Sequence, residues 1–135
     1  MPWSYIIDQQ QRTVFTRFTG MITPSDVRDE INAVTSDPKF DPSFDQMVDA
    51  SQGAPVSDFP TDKVREFAAS SIYSKTSRRA IVMSGDLGFG LARMFATYRE
   101  IRGELNLQIF RERNAALQWL GAKDPSTPGE QSAKI

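Results

Sequence analysis

The chain has 135 residues, 39% hydrophobic and 24% charged, with sixteen Lys and Arg against seventeen Asp and Glu. That composition describes one globular domain with a single core, and a charge balance unsuited to wrapping nucleic acid or an anionic membrane. The absence of Cys and His excludes disulfide scaffolds, structural zinc, His-activated nucleophiles and imidazole proton shuttles, and with them most enzyme classes legible in sequence.

Tyr5-Ile6-Ile7 and Thr13 to Thr19, rich in β-branched and aromatic residues, flank the polar break Gln9-Gln10-Gln11 and predict a β-hairpin closed by Gly20. Thr23-Pro24-Ser25-Asp26 predicts a helix start, with a Thr N-cap, Pro at the first helical position and an acid three residues past the cap. Ile22 and Val27 occupy hydrophobic-staple positions, and Val27, Ile31 and Val34 form the apolar face of a surface-lying helix. Two Asp-Pro steps in Asp37 to Phe44 break the helix and make a loop pinned by Phe40 and Phe44. A short strand over Phe44 to Ala50 follows. The next connection, Ser51 to Pro60 with Gly53, Pro55 and Pro60, is long for a βα loop.

Thr61 to Tyr73 carries Val64, Phe67, Ala68, Ser71 and Ile72 on one helical stripe, and Ser77 to Ser84 reads as a buried central strand. Gly85 to Gly90 leads into a helix bearing Leu91, Met94, Phe95 and Tyr98 that ends near Gly103. Leu107, Ile109 and Phe110 mark a last strand, and Asn114 caps a short helix that stops at Gly121. Strands alternating with helices predict an α/β domain over residues 1–121, mainly parallel with right-handed crossovers and one N-terminal antiparallel hairpin strand, followed by a flexible tail over 122–135. No apolar run approaches the roughly 18 to 20 residues of a membrane span, and Met1-Pro2-Trp3 lacks a leader pattern, so a cytoplasmic address is expected. Charge segregates along the chain: Met1 to Asp62 holds four basic and ten acidic residues (−6), Lys63 to Ile135 twelve and seven (+5). Solvated faces account for such a split; self-association as a homodimer or an acidic partner is the alternative.

Four phrases, Asp37 to Phe44, Ser77-Arg78-Arg79-Ala80-Ile81-Val82, Gly90-Leu91-Ala92-Arg93-Met94-Phe95 and Ala116-Leu117-Gln118-Trp119-Leu120-Gly121, together with the element order, resemble the SpoIIAA-like, STAS-like family of small bacterial proteins. The likeness covers Tyr5 to Gly121. It implies a right-handed β/α superhelix, the fold shared by anti-sigma-factor antagonists and CRAL-TRIO lipid-binding domains, and no settled activity. Those antagonists carry a phosphorylatable Ser in an Asp-Ser-Ser-Gly phrase at a helix start. The nearest match is Asp49-Ala50-Ser51-Gln52-Gly53, which departs from it because Ser51 enters a Pro-containing connection.

Asp49, Ser51, Ser84, Asp86 and Arg111 all fall at C-terminal strand ends, where open α/β sheets bind ligands. Gly88-Phe89-Gly90 opens a helix after a strand, but Arg93 stands where a dinucleotide fingerprint needs its third small residue, and no Gly-Lys-Ser follows. What remains is a helix N-terminus with Asp86 as its expected N-cap. Asp49 with Asp86 could form an acid-base or metal-binding pair, yet two acids without a third donor are ordinarily caps and loop hydrogen bonds. Arg78 and Arg79 lie roughly 20 Å from Gly88 along their strand, too far to share its ligand. One is expected to cover a helix end and the other to be solvated. Phe89 reads as core or as part of an apolar mouth. The expectation is a non-enzymatic regulatory or binding module without metal or cofactor, contacting a protein or a small apolar or anionic ligand, and not nucleic acid. An apolar carrier is the alternative, distinguished by an internal cavity lined by Phe67, Phe89, Met94 and Phe95; a small enzyme using Asp49 and Asp86 is a further one.

Overall fold

The computed structural model describes residues 2–125. Strands β1 (Trp3–Asp8) and β2 (Thr13–Ile22) pair antiparallel, from Trp3 opposite Phe18 to Asp8 opposite Thr13. The hairpin turn places Arg12 at a φ of 54°. β2 does not stop at Gly20. Its register shifts between Arg17 and Thr19, and Gly20, at a φ of 68°, continues the ladder opposite Gly53. Glycine accommodates that left-handed backbone without a Cβ clash, so the strand survives to Ile22.

Helix α1 (Pro24–Ser36) begins as its sequence dictates. The Asp26 N–H donates to Thr23 Oγ1 at 3.2 Å and the Thr23 N–H donates to Asp26 Oδ2 at 2.9 Å, a reciprocal capping box. β3 (Asp45–Pro55) runs five residues past its expected end, because Gln52 to Pro55 pair with the extended part of β2. Ser51 therefore sits inside a strand and not in a loop, and the connection to the next helix shrinks to residues 56–60. α2 (Thr61–Ala68) ends well before Tyr73: Arg99 Nη1 donates to the Ala68 carbonyl at 2.9 Å, satisfying an orphan acceptor of the last turn. β4 (Arg79–Val82) is buried throughout. α3 (Asp86–Ile101) starts one turn earlier than the glycines suggest, with Gly85, not Asp86, as its N-cap. β5 (Leu107–Phe110) precedes α4 (Arg113–Leu120), whose N-cap is Glu112 in place of Asn114 and whose Gly121 closes it at a φ of 66°.

The five strands form one mixed sheet in the order β1-β2-β3-β4-β5, antiparallel at β1 and parallel elsewhere, which makes the chain an α/β protein. Alternation of side chains gives the sheet two unlike faces. Phe15, Met47, Ala80 and Val82 pack against Ala116, Leu117 and Leu120 of α4. The opposite face is covered by α1, α2 and α3, as successive crossovers of one hand in a sequentially ordered parallel sheet require. There Val14 packs with Val34, Phe44 and Tyr73, and Phe18 with Ile22, Ala50 and Val27. α1 lies over the β1–β2 side and α2 rests beside α3. The two groups do not close over the sheet between them.

The expected tail begins with anchored residues. Ala122 packs on the α4 core, the Lys123 N–H donates to Gln11 Oε1 at 2.7 Å, and the Lys123 carbonyl accepts from Gln11 Nε2 at 3.0 Å. Residues 126–135 lie outside the described residues. Among the described residues no helix is long and apolar enough to cross a membrane.

Candidate functional site: a cavity between helices α1 and α2

The strand-end residues expected to bind a ligand do come together, but they bind one another. Ser84 Oγ donates to the Ser51 carbonyl at 2.8 Å. Arg111 Nη1 donates to the Ser84 carbonyl and to Asp86 Oδ1, each at 3.1 Å, while its guanidinium lies 4.1 Å from the centre of the Phe89 ring. Asp49 is buried. Its Oδ1 accepts from the Ser51 N–H at 2.8 Å and its Oδ2 from Arg113 Nη1 at 2.7 Å. Burial works to raise the Asp49 pKa, but the hydrogen bonds from Ser51 and Arg113 outweigh it and hold the carboxyl below its ordinary value. Arg113 also grips Asp124.

Asp49 and Asp86 are thus held by separate arginines, each carboxylate engaged in an ion pair. Asp86 is almost wholly exposed in the first turn of α3, where it takes no part in capping. Gly88 and Gly90 belong to that helix and not to a loop. Gly88 packs so closely on Met83, just past β4, that a Cβ there would come within 2.9 Å of Met83 Sδ, whereas Gly90 faces open space. Among the described residues no group of three or more acidic side chains could hold a metal ion.

Space for a ligand lies elsewhere, on the helix-covered face. A cavity of about 400 Å³ opens where α1 and α2 diverge. Phe18, Val48 and Ile81 form its floor on the sheet, with Val27 and Ile31 of α1 on one wall and Val64, Phe67, Leu91 and Phe95 of α2 and α3 on the other. Exposed Arg28, Asn32, Glu66 and Ser70 rim its mouth. Phe67 and Phe95 line it as the carrier alternative expects; Phe89 and Met94 do not. Phe89 instead borders a shallow hollow with Arg93 and Ile109.

Apolar walls give way to polar groups at the edge near β4. Gln46 and Arg79 sit opposite each other in register on β3 and β4, and Arg79 Nε donates to Gln46 Oε1 at 2.8 Å. Arg79 Nη1 donates to Ser71 Oγ at 3.2 Å and to Glu104 Oε1 at 3.0 Å. Glu104, 2% exposed, also accepts from Arg99 Nε at 2.7 Å. Arg79 is therefore buried and not solvated, a correction to the expectation from sequence. Its neighbour Arg78 does cover a helix end, stacking on Trp119 and donating to the Leu120 carbonyl at the end of α4.

Glu30 and Tyr73 complete this polar end. Glu30, 4% exposed, accepts from Thr16 Oγ1 at 3.0 Å and makes no ion pair among the described residues. Burial pushes its pKa up to about 7, against the opposing pull of the Thr16 hydroxyl and the Arg79 charge. Tyr73 Oη is buried and has no hydrogen-bond partner, although the phenol is a competent donor. Sequence reasoning missed both residues. The available signal was a Glu at position 30 on the apolar stripe of Val27, Ile31 and Val34, where a charged residue is out of pattern. Compared with models of known protein families and with curated proteins, the chain has no match.

Proposed function

We propose that the chain is a non-enzymatic binding module, a STAS-like β/α superhelix in its element order, that holds one small and mainly apolar molecule in the cavity between α1 and α2. One observation carries the reading: a cavity of about 400 Å³ with apolar walls and a few buried polar groups at one end, within the roughly 300 to 1,000 Å³ range of small-molecule sites. Apolar walls favour burial of a hydrocarbon body, and the polar end fixes its orientation. The self-satisfied strand-end cluster offers less, because a ligand there would have to displace hydrogen bonds already made. The module's role is to sequester or deliver that molecule, or to change its surface between α1 and α2 when filled.

Uptake of a neutral apolar dye such as N-phenyl-1-naphthylamine tests the reading. Dye fluorescence should rise on titration with the protein, and Val48→Phe, which places a larger side chain on the cavity floor, should abolish the rise while still unfolding cooperatively. A protein that leaves the dye dark, or a folded Val48→Phe variant that brightens it equally, would overturn the proposal.

A further inference from the structure

We propose that the inner end of the cavity recognises a single carboxylate, so that the occupant is an aliphatic monocarboxylate, and that Glu30 couples its uptake to uptake of one proton. The inference rests on the cavity being a binding site, as argued above, and adds the class of ligand and its regulation.

Charge and donor inventory lead to this conclusion. Glu104 is shared between Arg79 and Arg99, with contacts of 3.0 and 2.7 Å, so the buried cluster holds two positive charges against one negative. Arg79 is the member that reaches the cavity. Its Nε and Nη1 are engaged by Gln46, Ser71 and Glu104, whereas none of the hydrogen bonds among the described residues uses Nη2. Tyr73 stands beside it, its ring centre 4.9 Å from the Arg79 guanidinium carbon, and its hydroxyl is the buried donor without an acceptor. One excess positive charge and two donors lacking acceptors suit one carboxylate, which brings one negative charge and two acceptor oxygens. An alcohol would leave the charge unmatched. An ammonium would add a second charge of the same sign and supply no acceptor.

Glu30 is the internal competitor for the same charge. Ionised, it balances the cluster from within the cavity wall; protonated, it leaves the excess positive charge to the ligand. A carboxylate arriving beside it disfavours its ionised form and draws a proton from solvent, and by reciprocity loss of that proton weakens the ligand. The other charged or titratable groups around the cavity do not share this behaviour. Burial raises the phenols of Tyr5 and Tyr73, and a hydrogen bond from Lys63 lowers Glu66 at the rim, in each case away from neutrality. Arg28 stands at the rim, and Glu104 is held in ion pairs by Arg79 and Arg99.

Calorimetric titration of the intact protein with decanoate, decanol and decylamine tests the proposal. Below about pH 7 decanoate should bind at least about tenfold more tightly than decanol, and above it decanoate affinity should fall by up to about tenfold per pH unit. Repeating the titration in buffers of different ionisation heat should show close to one proton taken up per decanoate near the upper end of that range. Glu30→Gln, uncharged at any pH, should bind decanoate with no such fall, and Tyr73→Phe should weaken decanoate more than decanol. Decanol binding as tightly as decanoate, a preference for decylamine, or decanoate binding without proton uptake would overturn the inference and leave the cavity reading standing. Failure of all three to bind would overturn the cavity reading itself. Should Glu30→Gln not fold, the proton count on the parent protein decides the coupling.

Discussion

Tyr73 and Val82 define opposite demands on single side chains. The Tyr73 hydroxyl is buried without a partner, a condition that costs roughly 1 to 3 kcal/mol relative to a satisfied or absent group. Tyr73→Phe is therefore expected to stabilise the empty protein by about 1 kcal/mol, read as a higher urea midpoint at unchanged denaturant slope. A lower midpoint would mean that the hydroxyl already has an acceptor. Val82 is fully buried between the sheet and α4. Val82→Asp would place an unpaired carboxylate there at a cost of roughly 3 kcal/mol or more, and the variant should be insoluble or lack a cooperative thermal transition.

Within α3, two glycines two residues apart have different reasons to be there. A Cβ at Gly90 would meet nothing within 4 Å, and its φ is not positive. Gly90→Ala should thus stabilise by up to about 1 kcal/mol, the helix-propensity difference. At Gly88 the same gain competes with contacts of 2.9 Å to Met83 Sδ and 3.3 Å to Pro55 Cδ. Gly88→Ala is expected to gain nothing or to lose stability, since the Met83 side chain must shift within its packing against Phe18, Ile22 and Ala50. Thermal midpoints of the two single variants separate these outcomes, and equal stabilisation by both would show that α3 does not press on Met83 and Pro55 at this point.

The pH dependence of stability is a property of the whole molecule. Glu30 has a folded pKa raised from 4.5 to about 7, so between those values the folded state binds more protons than the unfolded one. Stability contributed by its neutral form is present below pH 4.5, is lost progressively as pH rises to about 7, and is flat above. Asp49 and Asp124, held low by hydrogen bonds that outweigh burial in the first and by Arg113 in the second, act in the opposite sense: their contribution is present above the ordinary Asp value and is lost as pH falls. Stability should therefore peak on the acidic side of neutrality. Glu30→Gln should remove the decline toward pH 7, becoming more stable than the parent there by up to roughly 3 kcal/mol. Parallel denaturation curves for both proteins at acid and neutral pH check this; a stability difference that does not change with pH would refute the assignment.

Local signals in the sequence determined the α/β alternation, the capping box at Thr23 to Asp26, the buried run at Arg79 to Val82 and the glycine that ends α4, because each depends on residues within a few positions of one another. The same signals set Asp49, Ser51, Ser84, Asp86 and Arg111 at strand ends, and the fold does gather them. Only the tertiary structure decided what that gathering amounts to, since the arginines that satisfy Asp49 and Asp86 come from Arg113 and Arg111, far along the chain. Long-range pairing likewise extended β3 through Ser51, and Arg99 ended α2 early; no short window contains either partner. The cavity was the least legible feature, because it is made by the divergence of α1 from α2, a matter of where helices land on a sheet. Glu30 lies 43 residues before Tyr73 and 49 before Arg79, and only the register of β4 beside β3 and the path of α1 over the sheet bring their unequal charges and unused donors to one place.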